Sequence, residues 1–172
     1  FSGSGHSVRL VSDGTTKMII DVNSNISLSN NDSGNNNTVF GKGSGLDLAS
    51  GAAFNAFYGE DAGANITTTN ENTAMGYRAL FYNVSGQNNT AVGNIALRGE
   101  SGDSSSHNTA IGNAALQGTS TGNENTGVGS NALTSNTTAT GNTSVGAYSS
   151  RYNQTGEGNT AVGSSALMGA SG

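Results

Sequence analysis

The chain has no cysteine and no proline, and charged side chains make up only 10% of its 172 residues. The absence of cysteine excludes disulfide bonds and thiolate metal sites. The six basic residues are scattered and the net charge is −5, whereas nucleic-acid phosphates require clustered lysine and arginine. A run of about 18 apolar residues, which a transmembrane helix needs, does not occur. We therefore expect neither a nucleic-acid partner nor insertion into a membrane.

The chain is also poor in apolar residues (33%) and aromatic residues (6%), while 27 of its residues are glycine. Disordered segments share this composition, but they usually combine it with high net charge and lack a strict period. The chain begins at Phe1 and shows no signal-peptide pattern, so we expect it to be a segment of a longer protein. The composition predicts an ordered, narrow and regularly turning chain with a thin core.

One nine-residue pattern recurs eight times, most cleanly as NTAVGNIAL over residues 89–97. Every copy begins with asparagine, and the steps between these asparagines are 18, 17, 17, 19, 17, 17 and 17 residues. We call the units coils 1 to 8 and their asparagine position 0; they start at Asn37, Asn55, Asn72, Asn89, Asn108, Asn125, Asn142 and Asn159. A repeat with this period indicates a repeat architecture, and it is a stronger guide to the fold than the secondary-structure propensities of single residues.

Two further positions recur almost without exception. Position 1 is threonine in seven of the eight copies, and position 4 is glycine in all eight. An unbroken rank of glycine predicts a corner with positive φ, or a place with no room for a Cβ atom. In the six clearest copies the predicted structural residues are Asn72, Thr73, Gly76, Asn89, Thr90, Gly93, Asn108, Thr109, Gly112, Asn125, Thr126, Gly129, Asn142, Thr143, Gly146, Asn159, Thr160 and Gly163.

Apolar side chains occupy position 3 in every copy, and positions 7 and 8 are Ala-Leu in five copies. Positions 1 and 3 share one face of a strand, because side chains alternate with a period of two. We expect position 3 to point into the core together with the threonines. The small residues at position 2 then lie on the opposite face. The Ala-Leu pair predicts a second short strand after the glycine corner.

The 17-residue unit therefore reads as one coil of an all-β fold, a parallel β-solenoid or β-roll of about eight coils. Stacked coils lie about 4.8 Å apart, and the equivalent asparagines are predicted to form a hydrogen-bonded ladder along the axis. Helix is disfavoured, because glycine, threonine, asparagine and serine are poor helix formers and no 3.6-residue stripe persists.

Residues 1–35 differ from the repeat region, residues 36–172. Strand-like runs at residues 7–11 and 16–22 flank a turn signal at Asp13-Gly14, and apolar residues alternate with serine from Ile26 to Leu28. We predict a short antiparallel β segment over residues 1–35. Such a segment is either the end of a neighbouring domain or a cap on the terminal edge of the solenoid, which otherwise invites pairing with other chains.

The core of a single chain is predicted to be thin. Each coil offers about two sizeable apolar side chains, worth about 2 kcal/mol each when buried. Ordering the backbone costs on the order of 1–2 kcal/mol for each residue. Lateral association would bury more apolar surface, so we predict a homotrimer.

The pattern N-T-A-[VIM]-G-x-x-A-L resembles repeats of phage tail-fibre proteins, which often carry a C-terminal intramolecular chaperone domain. It is also similar to the head repeats of YadA-like trimeric autotransporter adhesins. The resemblance covers residues 37–167 and implies a trimeric, elongated fibre on a virion or an extracellular cell surface. The 17-residue step is longer than that of YadA-like heads, which favours the phage-type fibre.

The resemblance thus implies a structural shaft of a tail fibre involved in host attachment, with a cell-surface glycan or protein as the receptor. A bacterial surface adhesin and a carbohydrate-binding solenoid are the alternatives. Tyr77, Tyr82, Tyr148 and Tyr152 lie at or near turns, where their rings could stack on sugars. Packing against neighbouring chains is the favoured interpretation, because aromatic side chains dominate interface burial.

Two other functions are disfavoured by the sequence. His6 and His107 lie in different regions, and Glu60-Asp61 is the one adjacent carboxylate pair, so we expect no enzyme and no cofactor; a glycosidase would need two carboxylates placed across a groove. The threonine rank raises the alternative of ice binding. Threonines that point inward would not serve it.

Overall fold

The computed structural model describes residues 8–12, 15–20, 26–28 and 36–169, and it confirms the predicted all-β class. Near the N terminus, β1 (Val8–Ser12), β2 (Thr15–Ile20) and β3 (Ile26–Leu28) form an antiparallel sheet in the order β1-β2-β3. The predicted antiparallel segment is therefore present. The predicted Asp13-Gly14 turn lies outside the described residues.

The repeat region contributes one short strand from each coil to a single eight-stranded sheet. All neighbouring strands are parallel and follow chain order, so Thr109 pairs with Thr90 on one side and with Thr126 on the other. The strands are β4 (Thr38–Phe40), β5 (Ala56–Tyr58), β6 (Thr73–Met75), β7 (Thr90–Val92), β8 (Thr109–Ile111), β9 (Thr126–Val128), β10 (Thr143–Val145) and β11 (Thr160–Val162). The chain is a parallel β-solenoid, as predicted.

The predicted second strand is wrong: the Ala-Leu segment forms turns, in which Arg78 and Leu80 have φ of 50° and 54°. A strand would send Ala79 and Leu80 to opposite faces, yet both side chains are fully buried. The left-handed residues at positions 6 and 8 turn both side chains inward. Hydrogen bonds between coils persist, since Leu80 N–H donates to the Ala96 carbonyl oxygen at 3.0 Å.

The core also corrects the predicted direction of the strands, because position 2 points inward and position 3 points outward. Ala110 at position 2 is fully buried, whereas Ile111 at position 3 is 40% exposed. Leucine at position 8 fills the interior and leaves little space beside it. A Cβ atom on Gly127, at position 2, would lie 3.2 Å from the Leu116 Cγ atom.

Coil 2 keeps the same core volume with the large and small residues exchanged. Its position 2 is Phe57, which is fully buried, and its position 8 is Gly63. A Cβ atom on Gly63 would lie 2.7 Å from the Phe57 ring. The phenylalanine thus occupies the space that leucine fills in later coils, as close packing requires.

The predicted asparagine ladder is present along all eight coils. The backbone N–H of each position-0 asparagine after the first donates to the Oδ1 atom of the asparagine in the preceding coil, at 2.9–3.0 Å. The Nδ2 group of each of the first seven donates to the carbonyl three residues before the next asparagine. Each buried amide therefore ties its own coil to the next one.

The glycine corner at position 4 is confirmed on both predicted grounds. Its φ lies between 124° and 139° in all eight coils, a conformation that L side chains rarely adopt. In addition, a Cβ atom on Gly112 would lie 2.6 Å from the carbonyl oxygen of Gly129 in the next coil. The backbones of successive coils approach too closely here for any side chain.

Two corner glycines, Gly112 and Gly163, allow the effect of the positive φ to be separated from the effect of the close approach between coils. Gly163 has φ of 124°, but a Cβ atom there would meet only the Ala166 Cβ at 3.9 Å. We expect Gly112→Ala to destabilise the chain by about 1–3 kcal/mol more than Gly163→Ala, because only the former adds a clash to the strained φ. Thermal unfolding of the two variants measures the difference. Equal melting temperatures would contradict the close approach.

The asparagine ladder gives a second prediction. Asn108→Ala leaves the buried Asn125 N–H and the Gly122 carbonyl without their partners, which we expect to lower the free energy of unfolding by about 2–4 kcal/mol. The matched control is Asn113→Ala, which removes only an exposed bond to Asn94 and should stay within about 0.5 kcal/mol. Urea unfolding monitored by circular dichroism checks both; similar losses would contradict the ladder.

Candidate functional site

The outer face of the parallel sheet carries two regular ranks of side chains. The position-1 threonines are half-buried in coils 3 to 7 and exposed in coils 1 and 8, and they point outward. This corrects the expectation that the threonines point into the core. The position-3 side chains share the face, as predicted, and exposed ones are Phe40, Tyr58, Met75, Ile111, Val145 and Val162. We call these two ranks the strand face.

The carboxylates singled out in the sequence lie on the surface of the coils. Glu60 is 3.5 Å from Lys42, and Asp61 accepts a hydrogen bond from Arg78 Nε at 3.2 Å. The adjacent pair thus forms two separate ion pairs with two other coils. Across the described residues, no three His, Asp or Glu side chains come together as metal ligands.

The first aromatic cluster lies on coil 3 and is centred on an arginine. The Arg78 guanidinium lies 5.1 Å from the ring centres of both Tyr77 and Phe81. Phe81 in turn packs edge-on against Tyr82, with ring centres 4.5 Å apart. The hydrogen bond to Asp61 raises the pKa of Arg78. This arginine is therefore already engaged by a carboxylate and two rings.

The second aromatic cluster lies four coils further along the axis, on coil 7. Arg151 lies 5.3 Å from the Tyr148 ring centre and 5.2 Å from that of Tyr152, within the range of cation–π attraction. The structure thus places the four predicted tyrosines in two clusters, each of which contains an arginine that lies over two aromatic rings: Arg78 over Tyr77 and Phe81, and Arg151 over Tyr148 and Tyr152. The sequence analysis did not single out these arginines.

A groove of about 320 Å³ lies between the two clusters. It is lined by polar and small residues from coils 4 to 7: Arg98, Glu100, Gln117, Gly118, Thr134, Ser135, Thr137 and Gln154. Backbone hydrogen bonds order positions 9 and 10 along the axis; Tyr82 N–H donates to the Arg98 carbonyl, and Ser135 N–H donates to the Arg151 carbonyl. We call this feature the axial groove.

A buried polar rank lies at the turn that precedes each repeat, and the sequence analysis missed it. The same place in the coil is apolar in coils 1 and 2 (Leu48 and Ile66) and polar from coil 3 onward. The polar members are the buried Asn83, Asp103, Thr119 and Asn136 and the half-buried Asn153. The sequence does contain a pattern that predicts this rank: its three asparagines each stand six residues before the next position-0 asparagine.

Asp103 is the charged member of this rank and lies in the two-residue insertion of coil 4. It is 2% exposed, pairs with Asn83 through a parallel β-bridge, and accepts a hydrogen bond from Ser105 N–H at 2.8 Å. Burial raises the pKa of Asp103 to about 7, with a smaller contribution from Glu100, although the bonds from Ser105 favour the charged form. The insertion therefore places a titratable group inside the coil stack.

Comparison with known proteins identifies no relative: no protein-family model, no curated protein and no solved structure matches the chain. Among the described residues, no helix is long and apolar enough to span a membrane.

The buried carboxylate predicts an unusual pH dependence. The pKa of Asp103 is higher in the folded chain than its ordinary value of 3.8, so the stability it contributes is complete below about pH 4 and is lost as the pH rises through about 7. Asp103→Asn, which matches Asn83 in the same rank, should equal the parent at pH 4. At pH 8 we expect it to be more stable by on the order of 2–4 kcal/mol.

Urea unfolding of both chains between pH 4 and 8 measures this gain. The control is Glu124→Gln, which removes a carboxylate from an exposed position and should show no comparable gain. A constant difference between Asp103→Asn and the parent across this pH range would contradict the buried titration.

Proposed function

We propose that the chain is a shaft segment of a trimeric fibre, most simply a phage tail fibre that takes part in host attachment. The observation that carries the proposal is the strand face. It pairs a threonine at position 1 with an apolar or aromatic residue at position 3 in all but one coil, and most of its apolar rank is exposed. A structural shaft needs this kind of uniform surface along its whole length.

The exposed rank is long enough to matter for association. Eight strands at about 4.8 Å spacing give a continuous line of roughly 34 Å. Its members are large side chains, and Ile111 and Val162 are 40% and 71% exposed. Monomeric proteins rarely leave a contiguous apolar patch of this kind in water. Burying one such side chain contributes about 1.5–3 kcal/mol, so association along the rank is strongly favoured.

Two further copies of the chain are the occupants proposed for this face. The rank is parallel to the solenoid axis, so copies placed around a common axis can match it coil for coil. The threonines beside it are half-buried and neutral, and a neutral border imposes no charge repulsion between identical faces. Burial of the apolar rank between copies adds the apolar contacts that the thin core of a single chain lacks.

A fibre shaft also fits the backbone, because consecutive coils are joined by the same set of hydrogen bonds. Each coil contacts its neighbours, and in such arrays the stability is nearly additive. The resemblance of the repeat to phage tail fibres and to YadA-like heads supports a location on a virion or an extracellular cell surface. A bacterial adhesin remains the alternative within the same architecture, and a carbohydrate-binding solenoid is the alternative from another class.

The outward threonines favour a second candidate for the same face. The expectation that they point inward disfavoured ice binding, and that expectation is wrong. Ice binding requires regular ranks of hydroxyl groups, and the position-1 threonines are in register between coils, as for Thr109 and Thr126. The two uses exclude one another, since a face buried between subunits cannot meet ice. The oligomeric state therefore decides between them.

We expect the 172-residue chain to sediment as an elongated trimer. Ile111→Lys combined with Val128→Lys places two charges in the apolar rank, and we expect this variant to sediment as a folded monomer of 17.1 kDa. The charges would otherwise be buried without partners, which costs several kcal/mol. Analytical ultracentrifugation gives the mass, and circular dichroism checks the fold.

The matched control places the same charges on the same coils but outside the strand face. Asn113→Lys combined with Ser130→Lys changes two exposed turn residues and should remain trimeric. A parent chain that stays monomeric and folded at micromolar concentration would contradict the shaft and direct attention to the ice-binding candidate.

A further inference from the structure

We propose that the axial groove binds a linear, carboxylated oligosaccharide. The proposal adds a ligand to one side of the coil and does not depend on the trimer, because no residue of the strand face lines the groove. Its ligand class follows from the shape of the groove, the side chains that line it, among them Arg98, and the further arginine on coil 7, Arg151.

The shape is set by position 10 of coils 3 to 7. These residues are, in order along the axis, Tyr82, Gly99, Gly118, Ser135 and Tyr152. Two bulky rings therefore bracket three small residues along the axis, and two of these small residues, Gly118 and Ser135, line the groove. The two tyrosines are four coil steps apart, about 19 Å. An extended chain of about three or four sugar rings fits this length at about one ring for each coil spacing.

The side chains along the groove are those that sugars use. Gln117 and Thr134, which line it, supply amide and hydroxyl groups that both donate and accept hydrogen bonds. Further along the axis, Tyr82 on coil 3 and Tyr152 on coil 7 each carry an apolar ring with a polar hydroxyl. The polar floor itself matches a sugar chain better than it matches an apolar ligand, which would leave the polar groups of the floor unpaired.

Two arginines without ion-pair partners among the described residues favour an acidic sugar chain over a neutral one. Arg98 lines the groove; its Nε atom is buried, so its outer guanidinium nitrogens are the groups that would meet a ligand. Arg151 lies at position 9 of coil 7, outside the lining of the groove, with its guanidinium 5.3 Å and 5.2 Å from two tyrosine ring centres. Neither forms an ion pair with a described carboxylate, unlike Arg78, which is paired with Asp61.

A carboxylate on the ligand supplies the ion-pair partner that Arg98 lacks among the described carboxylates. The planar guanidinium binds a carboxylate through two parallel N–H···O bonds, which are stronger than bonds between neutral groups. The two arginines are three coils apart, about 14 Å. A ligand with acid groups on separate sugar rings therefore engages both of them. Glu100 at the rim is exposed and accepts hydrogen bonds from sugar hydroxyl groups.

The test uses calorimetric titration of the whole 172-residue chain with two carboxylated probes, tetragalacturonic acid and an α2,8-linked tetramer of sialic acid. The neutral probe is the methyl ester of tetragalacturonic acid, which keeps the sugar and removes the charge. We expect a dissociation constant below about 1 mM for at least one acid probe, and binding of the ester at least about tenfold weaker.

Three variants locate the site. Arg98→Gln should weaken binding of the acid probe at least about tenfold, and Ser135→Tyr should abolish it by filling the groove. Arg78→Gln is the matched control, an arginine between rings that lies outside the groove, and should bind within about twofold of the parent. Circular dichroism and melting temperatures of the variants confirm that each remains folded.

The proposal is overturned if neither acid probe binds below about 1 mM, if the methyl ester binds as well as the acid, or if Arg98→Gln leaves affinity unchanged. Ultracentrifugation of the same samples keeps the two proposals apart. A trimer without binding refutes the groove and leaves the shaft, whereas a monomer that binds refutes the shaft and leaves the groove.

Discussion

The hydrogen bonds of the buried position-0 asparagine are the interaction on which the solenoid depends. Its side chain spans two coils: the Oδ1 atom accepts from the next asparagine N–H, and Nδ2 closes the coil onto its own final turn. An unpaired buried amide is costly, so each coil must sit at one height and one register. The parallel sheet, the glycine corner and the alignment of the core leucines all follow from that register.

Much of this could be predicted because it follows from the period of the sequence. The recurrence of Asn108, Thr109 and Gly112 in equivalent places was sufficient for the strand, the ladder and the corner. The period could not say which face of the strand points inward. That depends on volume: Leu116 fills the interior from the opposite wall, so only small residues such as Ala110 fit beside it. The apolar residues at position 3 therefore led to the wrong prediction that this face of the strand points into the core.

The remaining errors also came from conformations that stacking imposes against local preference. Leu116 has φ of 51°, which a leucine alone would avoid, but the left-handed turn brings two adjacent side chains into the core. The candidate site was predicted only in part: Tyr82 and Tyr152 occupy position 10 of coils 3 and 7, on either side of the small residues at position 10 of coils 4 to 6, but they do not line the groove. Its arginines and its floor were not, because glycine at position 10 of coils 4 and 5 looks like any other turn glycine until the coils are stacked.

The asparagine ladder has a consequence for how a protein of this kind changes in length. The distance from asparagine to the position-8 residue is the same in every coil, whereas the 18- and 19-residue steps carry their extra residues in the turns. Loss or duplication of one whole unit keeps every amide paired, but loss of half a unit leaves a buried donor and acceptor facing nothing. Insertions and deletions are therefore tolerated only as whole repeat units, and the length of such a protein changes in evolution by whole numbers of coils.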